Sequence, residues 1–196
     1  MTVNGTHLRR INRGAVERAA ADLLRALGAD GDAEALEETP RRVADAYAEL
    51  LTPQPFRPTT FPNDDVYDEL IVARSIPFHS LCMHHLLPFQ GVAHVGYLPG
   101  ERIIGLSKLG RVVEFFSRDL QIQERLTTQV ADWLERELKP KGVGVVLEAE
   151  HMCMSLRGVQ KLGAMTVTSA LRGLVRDDVR TRQEFLALTK RSSHEQ

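Results

Sequence analysis

The stretch SLCMHHLLPF, residues 80–89, places one thiol and two imidazoles in a run that is otherwise mostly apolar. In a strand, the side chains of Cys82 and His84 would share a face, whereas in a tight turn those of Cys82 and His85 would converge. A cysteine and a histidine separated by two residues favour zinc binding through such a turn, which would leave His84 pointing elsewhere and free for proton transfer. A structural zinc site uses four protein ligands, whereas a catalytic one uses three and keeps a position for water.

The second of the two cysteines lies in GVVLEAEHMCMSLRG, a segment that we expect to be a strand. His151 and Cys153 are two residues apart and would therefore share a face of that strand. Cys82, His85 and Cys153 could then form a three-ligand metal site with one open position. His84 and His151 would be general acid or base candidates, because imidazole titrates near neutral pH. Two other interpretations stay open at this point: the cysteines pack as small apolar residues, or they form a disulfide with each other.

Residues that could bind phosphate lie in two segments. The first, GLSKLGR, places Ser107, Lys108 and Arg111 at the start of a predicted helix, where free backbone N–H groups and the helix dipole favour anions. The second, SLRGVQK, adds Arg157 and Lys161 directly after the Cys153 segment. The alternative interpretation is that these side chains are solvated surface charges. The sequence contains no G-x-x-x-x-G-K-S/T motif, so a P-loop is excluded.

Two amphipathic helices are predicted at the start of the chain. Apolar residues recur with helical spacing over residues 16–27. Thr39 and Pro40 predict the N-cap and the first residue of a second helix, which ends before Pro53. Residues 1–52 are therefore predicted to form an N-terminal helical region.

The pattern changes after a segment with four prolines, TPQPFRPTTFPNDD, so we predict a Pro-rich linker at residues 53–65 and a catalytic domain at residues 66–196. In that domain the strands YDELIVARSIPFHSL and FQGVAHVGYLPG meet near CMHH, two helices follow, and Ser107 is expected to cap the first of them. A second pair of strands and a closing helix, VRTRQEFLALTK, complete an α+β pattern. Because so small a sheet leaves its edges uncovered, we expect the chain to form oligomers.

Composition excludes several classes of protein. The formal net charge of the 196 residues is -1, with 26% charged residues, so no nucleic-acid partner is expected. The N-terminal segment lacks the apolar core of a secretory signal, and no apolar run approaches the roughly 20 residues of a membrane span. Two cysteines without an export signal indicate a reducing compartment. The sequence therefore predicts a cytoplasmic protein without a membrane partner.

Six segments together resemble the type I GTP cyclohydrolases. They occur in the family's order and spacing between Thr39 and Leu188: TPRRVADAY, SLCMHHLLPFQGVAHVGYLPG, IIGLSKLGRVVEFF, QIQERLT, HMCMSLRGVQK and TVTSALRG. The resemblance implies a tunnelling fold, in which an antiparallel sheet is backed by helices and assembled into a ring. It also implies a toroidal homodecamer of two face-to-face pentamers, with active sites at subunit interfaces.

The resemblance implies a zinc-dependent hydrolase acting on cyclic amidine C–N bonds, which converts GTP to 7,8-dihydroneopterin triphosphate and formate without a redox cofactor. The family's zinc ligands fall on Cys82, His85 and Cys153, and its catalytic histidines fall on His84 and His151. Its triphosphate contacts fall on Ser107, Lys108, Arg111 and Arg157, with Arg42 and Lys161 as further contacts.

The family's purine-binding glutamate falls on Glu124, beside Gln123. From the residues alone, a glutamate at this position is ordinarily a favourable charge in the first turn of a helix. If Glu124 has the role of the family's purine-binding glutamate, its carboxylate can accept two N–H hydrogen bonds from the guanine edge. Adenine would leave that carboxylate unpaired and would be rejected.

One residue departs from the family's pattern. The family usually has glutamate between the cysteine and the paired histidines, and this sequence has Met83. A thioether in place of a carboxylate predicts a change in rate, activity or substrate. The alternative functions are therefore a relative on the same fold that binds a purine or pterin with altered catalysis, and a zinc-stabilised oligomeric scaffold. A scaffold would need none of His84, His151, Glu124 and Arg157.

Overall fold

The computed structural model describes residues 2–3, 6–7, 9–29 and 33–190, and the chain divides into two compact units, Met1–Pro53 and Gln54–Gln196. The first unit is mainly helical, and the second holds a five-stranded sheet with helices. In the described part of the chain, no helix is both long and apolar enough to cross a membrane.

In its described residues, the first unit contains a short strand pair and three helices. Its elements in chain order are β1 (Thr2–Val3), β2 (Thr6–His7), α1 (Arg13–Ala26), α2 (Ala33–Leu36) and α3 (Thr39–Leu50). The side chain of Asn12 accepts a hydrogen bond from the backbone N–H of Ala15 and so caps the start of α1. The two long predicted helices of this unit are confirmed.

The start of α3 differs from the expectation in one respect. Thr39 is the first helical residue, and Glu38 occupies the N-cap position. The Glu38 side chain makes no capping hydrogen bond to a backbone N–H and instead accepts one from Arg41 Nε at 2.6 Å. Pro40 fits there because the first N–H groups of a helix have no partner within it. The prediction of Thr39 as N-cap was therefore wrong by one residue.

The second unit is built on a sheet with the strand order β7-β4-β5-β8-β9. Its strands are β4 (Ile71–Cys82), β5 (Pro88–Leu98), β7 (Leu120–Gln121), β8 (Gly142–His151) and β9 (Met165–Gly173). All neighbours are antiparallel except β7, which pairs parallel with the last two residues of β4. The predicted α+β class and the four long strands are confirmed.

Two of the predicted boundaries need correction. The Pro-rich segment is not wholly irregular, because β3 (Thr60–Pro62) lies within it and pairs antiparallel with β6 (Arg102–Ile104). The helix after β6 begins at Leu106 with Gly105 at its N-cap, so Ser107 lies in the first turn and does not cap it. The helices of this unit are α4 (Leu106–Ser117), α5 (Gln123–Leu138), α6 (Met152–Ser155), α7 (Leu174–Asp177) and α8 (Val179–Thr189).

One face of the sheet carries the main core. Alternate residues of β5 point to this face, and Phe89, Ala93, Val95 and Tyr97 are all fully buried. α4 packs against β4, and α5 packs against β8 and β9. The hydroxyl of Tyr97 accepts a hydrogen bond from the backbone N–H of Ile104, which ties β6 to this core.

The opposite face is covered at one end by α8. Phe185 of α8 is fully buried and packs with Val146 and Val175. Its ring lies over Gly144 of β8, where an added Cβ would come within 2.5 Å of a ring carbon. Glycine at this position therefore makes the space for the aromatic ring that anchors α8.

We predict that Gly144→Ala lowers the free energy of unfolding by about 1–3 kcal/mol, the usual cost of overpacking a well-packed core. The measurement is the shift in the melting temperature or the urea midpoint. Gly110→Ala is the matched control, since its added Cβ meets only Ile76 at 3.9 Å and replaces a glycine inside helix α4. If the two residues are in contact, the double variant with Phe185→Leu should lose less stability than the sum of the two single variants. Equal stability of Gly144→Ala and wild type would contradict the proposed contact.

Candidate metal and catalytic site

The β4–β5 connection brings Cys82 and His85 together. The backbone N–H of Cys82 donates to Leu87 O at 2.9 Å, and the N–H of Leu86 donates to Cys82 O at 2.8 Å. Leu86 adopts a left-handed backbone conformation with φ 55°, which reverses the chain. In this turn the Sγ of Cys82 lies 3.7 Å from Nδ1 of His85. The tight-turn alternative is therefore confirmed, and the strand alternative was wrong.

Cys153 is placed by a short helix. β8 ends at His151, and the next residues form the single-turn helix α6, so His151 and Cys153 do not share a strand face as predicted. The sheet register explains why Cys153 still reaches Cys82. β5 starts directly after the turn and pairs with β8, with Phe89 opposite His151. The end of β8 and the β4–β5 turn therefore lie at the same end of the sheet.

The three predicted ligands form one group. One ligand atom from each of Cys82, His85 and Cys153 lies within 4.8 Å of the others. Tetrahedral zinc with Zn–S near 2.3 Å and Zn–N near 2.0 Å separates its ligand atoms by about 3.5–3.8 Å, so the arrangement fits this ion after small adjustments. Both cysteines are free thiols, not a disulfide.

The pKa of the Cys153 thiol depends on its surroundings. Burial and the neighbouring Cys82 thiol raise the pKa of Cys153, while the positive charge of Arg157 acts in the opposite direction. Two adjacent thiols resist losing both protons because the two negative charges would repel. A bound cation removes that repulsion, as expected of a zinc–thiolate site.

His84 lies beside this group. Its Nδ1 is 3.9 Å from the Sγ of Cys82, and its ring meets that of His85 edge-on at 6.2 Å between centroids. Its side chain is exposed. The expectation that His84 points away from the ligands therefore needs correction: it is next to the same thiol but outside the three-ligand group.

His151 is held on two sides. Its ring stacks on Phe89 with 4.6 Å between centroids and an interplanar angle of 1°. Its Nε2 lies 2.8 Å from Oε1 of Gln123. Burial lowers the pKa of His151, and the negative charge of Glu124 only partly opposes this. Burial therefore favours the neutral ring, which is able to accept a proton. The aromatic support from Phe89 was not anticipated, because only the register between β5 and β8 shows it.

Gln123 and Glu124 begin α5 but face different surroundings. Gln123 is 2% exposed, and its Nε2 lies within hydrogen-bonding distance of Leu147 O, Thr166 O and Thr168 Oγ1. Glu124 is exposed and close enough to His151 to influence its charge state. Of this predicted substrate-binding pair, only Glu124 presents its side chain to solvent.

The predicted phosphate-binding residues occupy three places. Ser107, Lys108 and Arg111 lie on the first two turns of α4, and among the described residues no hydrogen bond or ion pair joins them to the cysteines or histidines. Arg157 and Lys161 lie after α6, where the Lys161 N–H donates to Met154 O at 3.0 Å. Arg157 is close enough to influence the Cys153 thiol. Arg42 is an exposed residue of α3 in the first unit.

Met83 follows Cys82 in the turn. Its backbone N–H donates to Gln121 O of β7 at 3.0 Å, while its side chain is 43% exposed. The thioether is therefore largely open to solvent.

Comparison with known proteins identifies the family. A model of the family described as GTP cyclohydrolase I matches residues 16–190. A curated GTP cyclohydrolase 1 of Aquifex aeolicus is 49% identical over 180 residues, which cover 92% of this chain and 98% of the relative. Relatives of the same name from Mycobacteroides abscessus and Streptococcus thermophilus are 50% and 48% identical, covering 90% and 91% of this chain and 89% and 98% of their own lengths. With this match and the site described above, the chain belongs to the GTP cyclohydrolase I family.

Proposed function

We propose that this chain converts GTP to 7,8-dihydroneopterin triphosphate and formate, with zinc held by Cys82, His85 and Cys153. The convergence of these three ligand atoms within 4.8 Å carries the proposal. Family membership supports it, since relatives near 50% identity are named GTP cyclohydrolase 1. When bound, zinc supplies Lewis acidity that makes water a better nucleophile at neutral pH for the hydrolytic steps.

His84 and His151 are the proposed proton-transfer residues. Release of C8 of guanine as formate breaks two C–N bonds, and each departing nitrogen must gain a proton. The later ribose rearrangement to a ketose and closure of the dihydropyrazine ring also move protons. A neutral imidazole can take up a proton in one step and return it in another. The assignment is supported by the exposure of His84 beside the Cys82 thiol and by the half-buried position of His151, two residues before Cys153.

Glu124 is the proposed guanine-binding residue. Its carboxylate is exposed beside His151, so a base placed there lies next to a proton-transfer group. A carboxylate can accept two hydrogen bonds from N1–H and the 2-amino group of guanine. Adenine lacks this pair of donors, and its binding would leave the carboxylate without partners.

The triphosphate is assigned to Ser107, Lys108, Arg111 and Arg157, with Lys161 as a further contact. Ser107, Lys108 and Arg111 lie on the first two turns of α4, where the positive end of the helix dipole favours an anion. The positive charge of Arg157 acts on the thiol of Cys153, which is one of the three candidate metal ligands. A triphosphate bound by these residues would hold the nucleotide while the base reacts.

A ring of subunits is the proposed assembly. Within the described residues β9 pairs only with β8, and β4 pairs on its outer side only through Leu81 and Cys82. Two open edges on one sheet allow strand pairing between copies of the chain. The toroidal homodecamer of two pentamers, with sites between subunits, accounts for these edges. It would also allow α4 of one subunit to bind the triphosphate of a nucleotide whose base lies at the candidate metal ligands of another subunit.

Metal content provides the first test of this function. We predict about one zinc per chain by elemental analysis, because three protein ligands and an open position form a catalytic zinc site. Cys153→Ala should lose both zinc and formate release. His151→Ala should retain zinc and lose turnover by about 10²–10⁴-fold, the usual contribution of a general acid or base. Equal zinc loss in the two variants would show that His151 is a ligand.

Met83 provides a second test. We predict that wild type releases formate from GTP and that Met83→Glu changes the rate by less than about 100-fold, as for a group outside the ligand shell. The exposed side chain of Met83 supports this expectation. Met83→Gln, of equal length to glutamate but uncharged, is the control. Formate from Met83→Glu alone would show that a carboxylate is essential, and formate from neither form would reject the proposed activity.

Assembly can be measured independently of activity. We predict that sedimentation velocity at micromolar concentration gives a particle several times the mass of one chain, since the sheet edges are open to pairing. A dilution series separates a stable ring from weak association. A monomer throughout the series would contradict the proposed interface sites.

A further inference from the structure

Gln123 has a side chain whose orientation is determined by its surroundings. Its Nε2 lies 3.1 Å from Leu147 O and 2.9 Å from Thr166 O. Both are backbone carbonyl oxygens, which can only accept hydrogen bonds. The reversed amide would place Oε1 against these two oxygens, so the amino end must face them. The Oε1 atom is thereby held toward Nε2 of His151, 2.8 Å away.

This contact determines which atom of His151 carries a hydrogen. An amide oxygen can only accept, so the His151 nitrogen facing it must be the donor. In the neutral imidazole, Nδ1 then keeps its lone pair. The hydrogen bond therefore assigns different roles to the two ring nitrogens.

Stacking on Phe89 cannot make this assignment alone. The two rings are parallel within 1°, which fixes the plane of the imidazole. A 180° flip about the Cβ–Cγ bond keeps that plane but exchanges nitrogen and carbon positions. Only a directional contact such as the one from Gln123 selects one of the two orientations.

We infer that Gln123 is a positioning residue, not a substrate contact: it holds His151 in one ring orientation, with Nε2–H toward Gln123 and Nδ1 left for the reaction. This inference rests on the proposed function, because it concerns the use of His151 in that reaction. The side-chain amide of Gln123 is held by the backbone oxygen of Leu147 in β8 and by two β9 groups, the backbone oxygen of Thr166 and the hydroxyl of Thr168. The adjacent Glu124, which is exposed, is left to contact the substrate.

The test compares Gln123→Met, Gln123→Glu and Thr168→Val in zinc-loaded protein. Gln123→Met removes the acceptor for His151, and we expect kcat to fall about 10- to 100-fold while KM for GTP changes less than about threefold. Gln123→Glu keeps an acceptor toward His151, so its kcat should exceed that of Gln123→Met even if its melting temperature is lower. Thr168→Val removes one of three Nε2 acceptors and should leave kcat within about twofold.

A spectroscopic measurement separates this inference from the proposed function. Magic-angle-spinning NMR of ¹⁵N-histidine-labelled protein, with His151 assigned through His151→Gln, should show Nε2–H in wild type and Thr168→Val. Gln123→Met should lose the single tautomer. An Nδ1–H tautomer in wild type, or kcat values that follow melting temperature alone, would overturn the inference. Absence of formate from wild type with the expected tautomer would instead reject the proposed function and leave the orientation of His151 established.

Discussion

The pairing of β4, β5 and β8 at one end of the sheet is the constraint on which the site depends. The β4–β5 turn supplies Cys82 and His85, and the register that places Phe89 opposite His151 carries β8 to the same end. α6 then turns Cys153 back toward the first cysteine. A shift of this register by one residue would move alternate side chains to the opposite face and separate the ligands. The hydrogen bonds between these strands therefore position the candidate metal ligands as well as stabilise the fold.

The same register determines how the two proposed proton-transfer residues differ. His151 ends a central strand, stacks on a fully buried ring and contacts a buried amide, so its orientation is fixed by the core. His84 lies in an exposed turn, near the Cys82 thiol and edge-on to the ring of His85. One histidine is therefore rigidly placed before substrate binds. The other can adjust to the substrate or to a neighbouring subunit, and a reaction with several unlike proton transfers can use both properties.

Local patterns in the sequence predicted much of this structure. Alternation of apolar residues and the bounding prolines and glycines predicted the four long strands, and C-x2-H spacing predicted the turn that joins Cys82 and His85. The errors arose where distant contacts decide local structure. β3 exists because β6 pairs with it, and a Pro-rich segment contains no sign of that partner. α6 is a single turn, too short to have a helical period, so HMCMS could not be distinguished from the end of a strand.

The inward role of Gln123 could not be predicted either, because its partners lie on β8 and β9, which come later in the chain. Its neighbour Glu124 has a similar length and polarity, yet it is exposed. Adjacent residues at the start of a helix point in different directions, so Gln123 can complete the buried network while Glu124 faces solvent. The sheet and its buried residues thus position Cys82 and His151, whereas His84, Glu124 and Arg157 are exposed on the surface of a single chain, as is the candidate ligand His85. The proposed site would have its candidate ligands within one chain and its exposed residues available to a neighbour, an arrangement that suits the proposed ring of subunits.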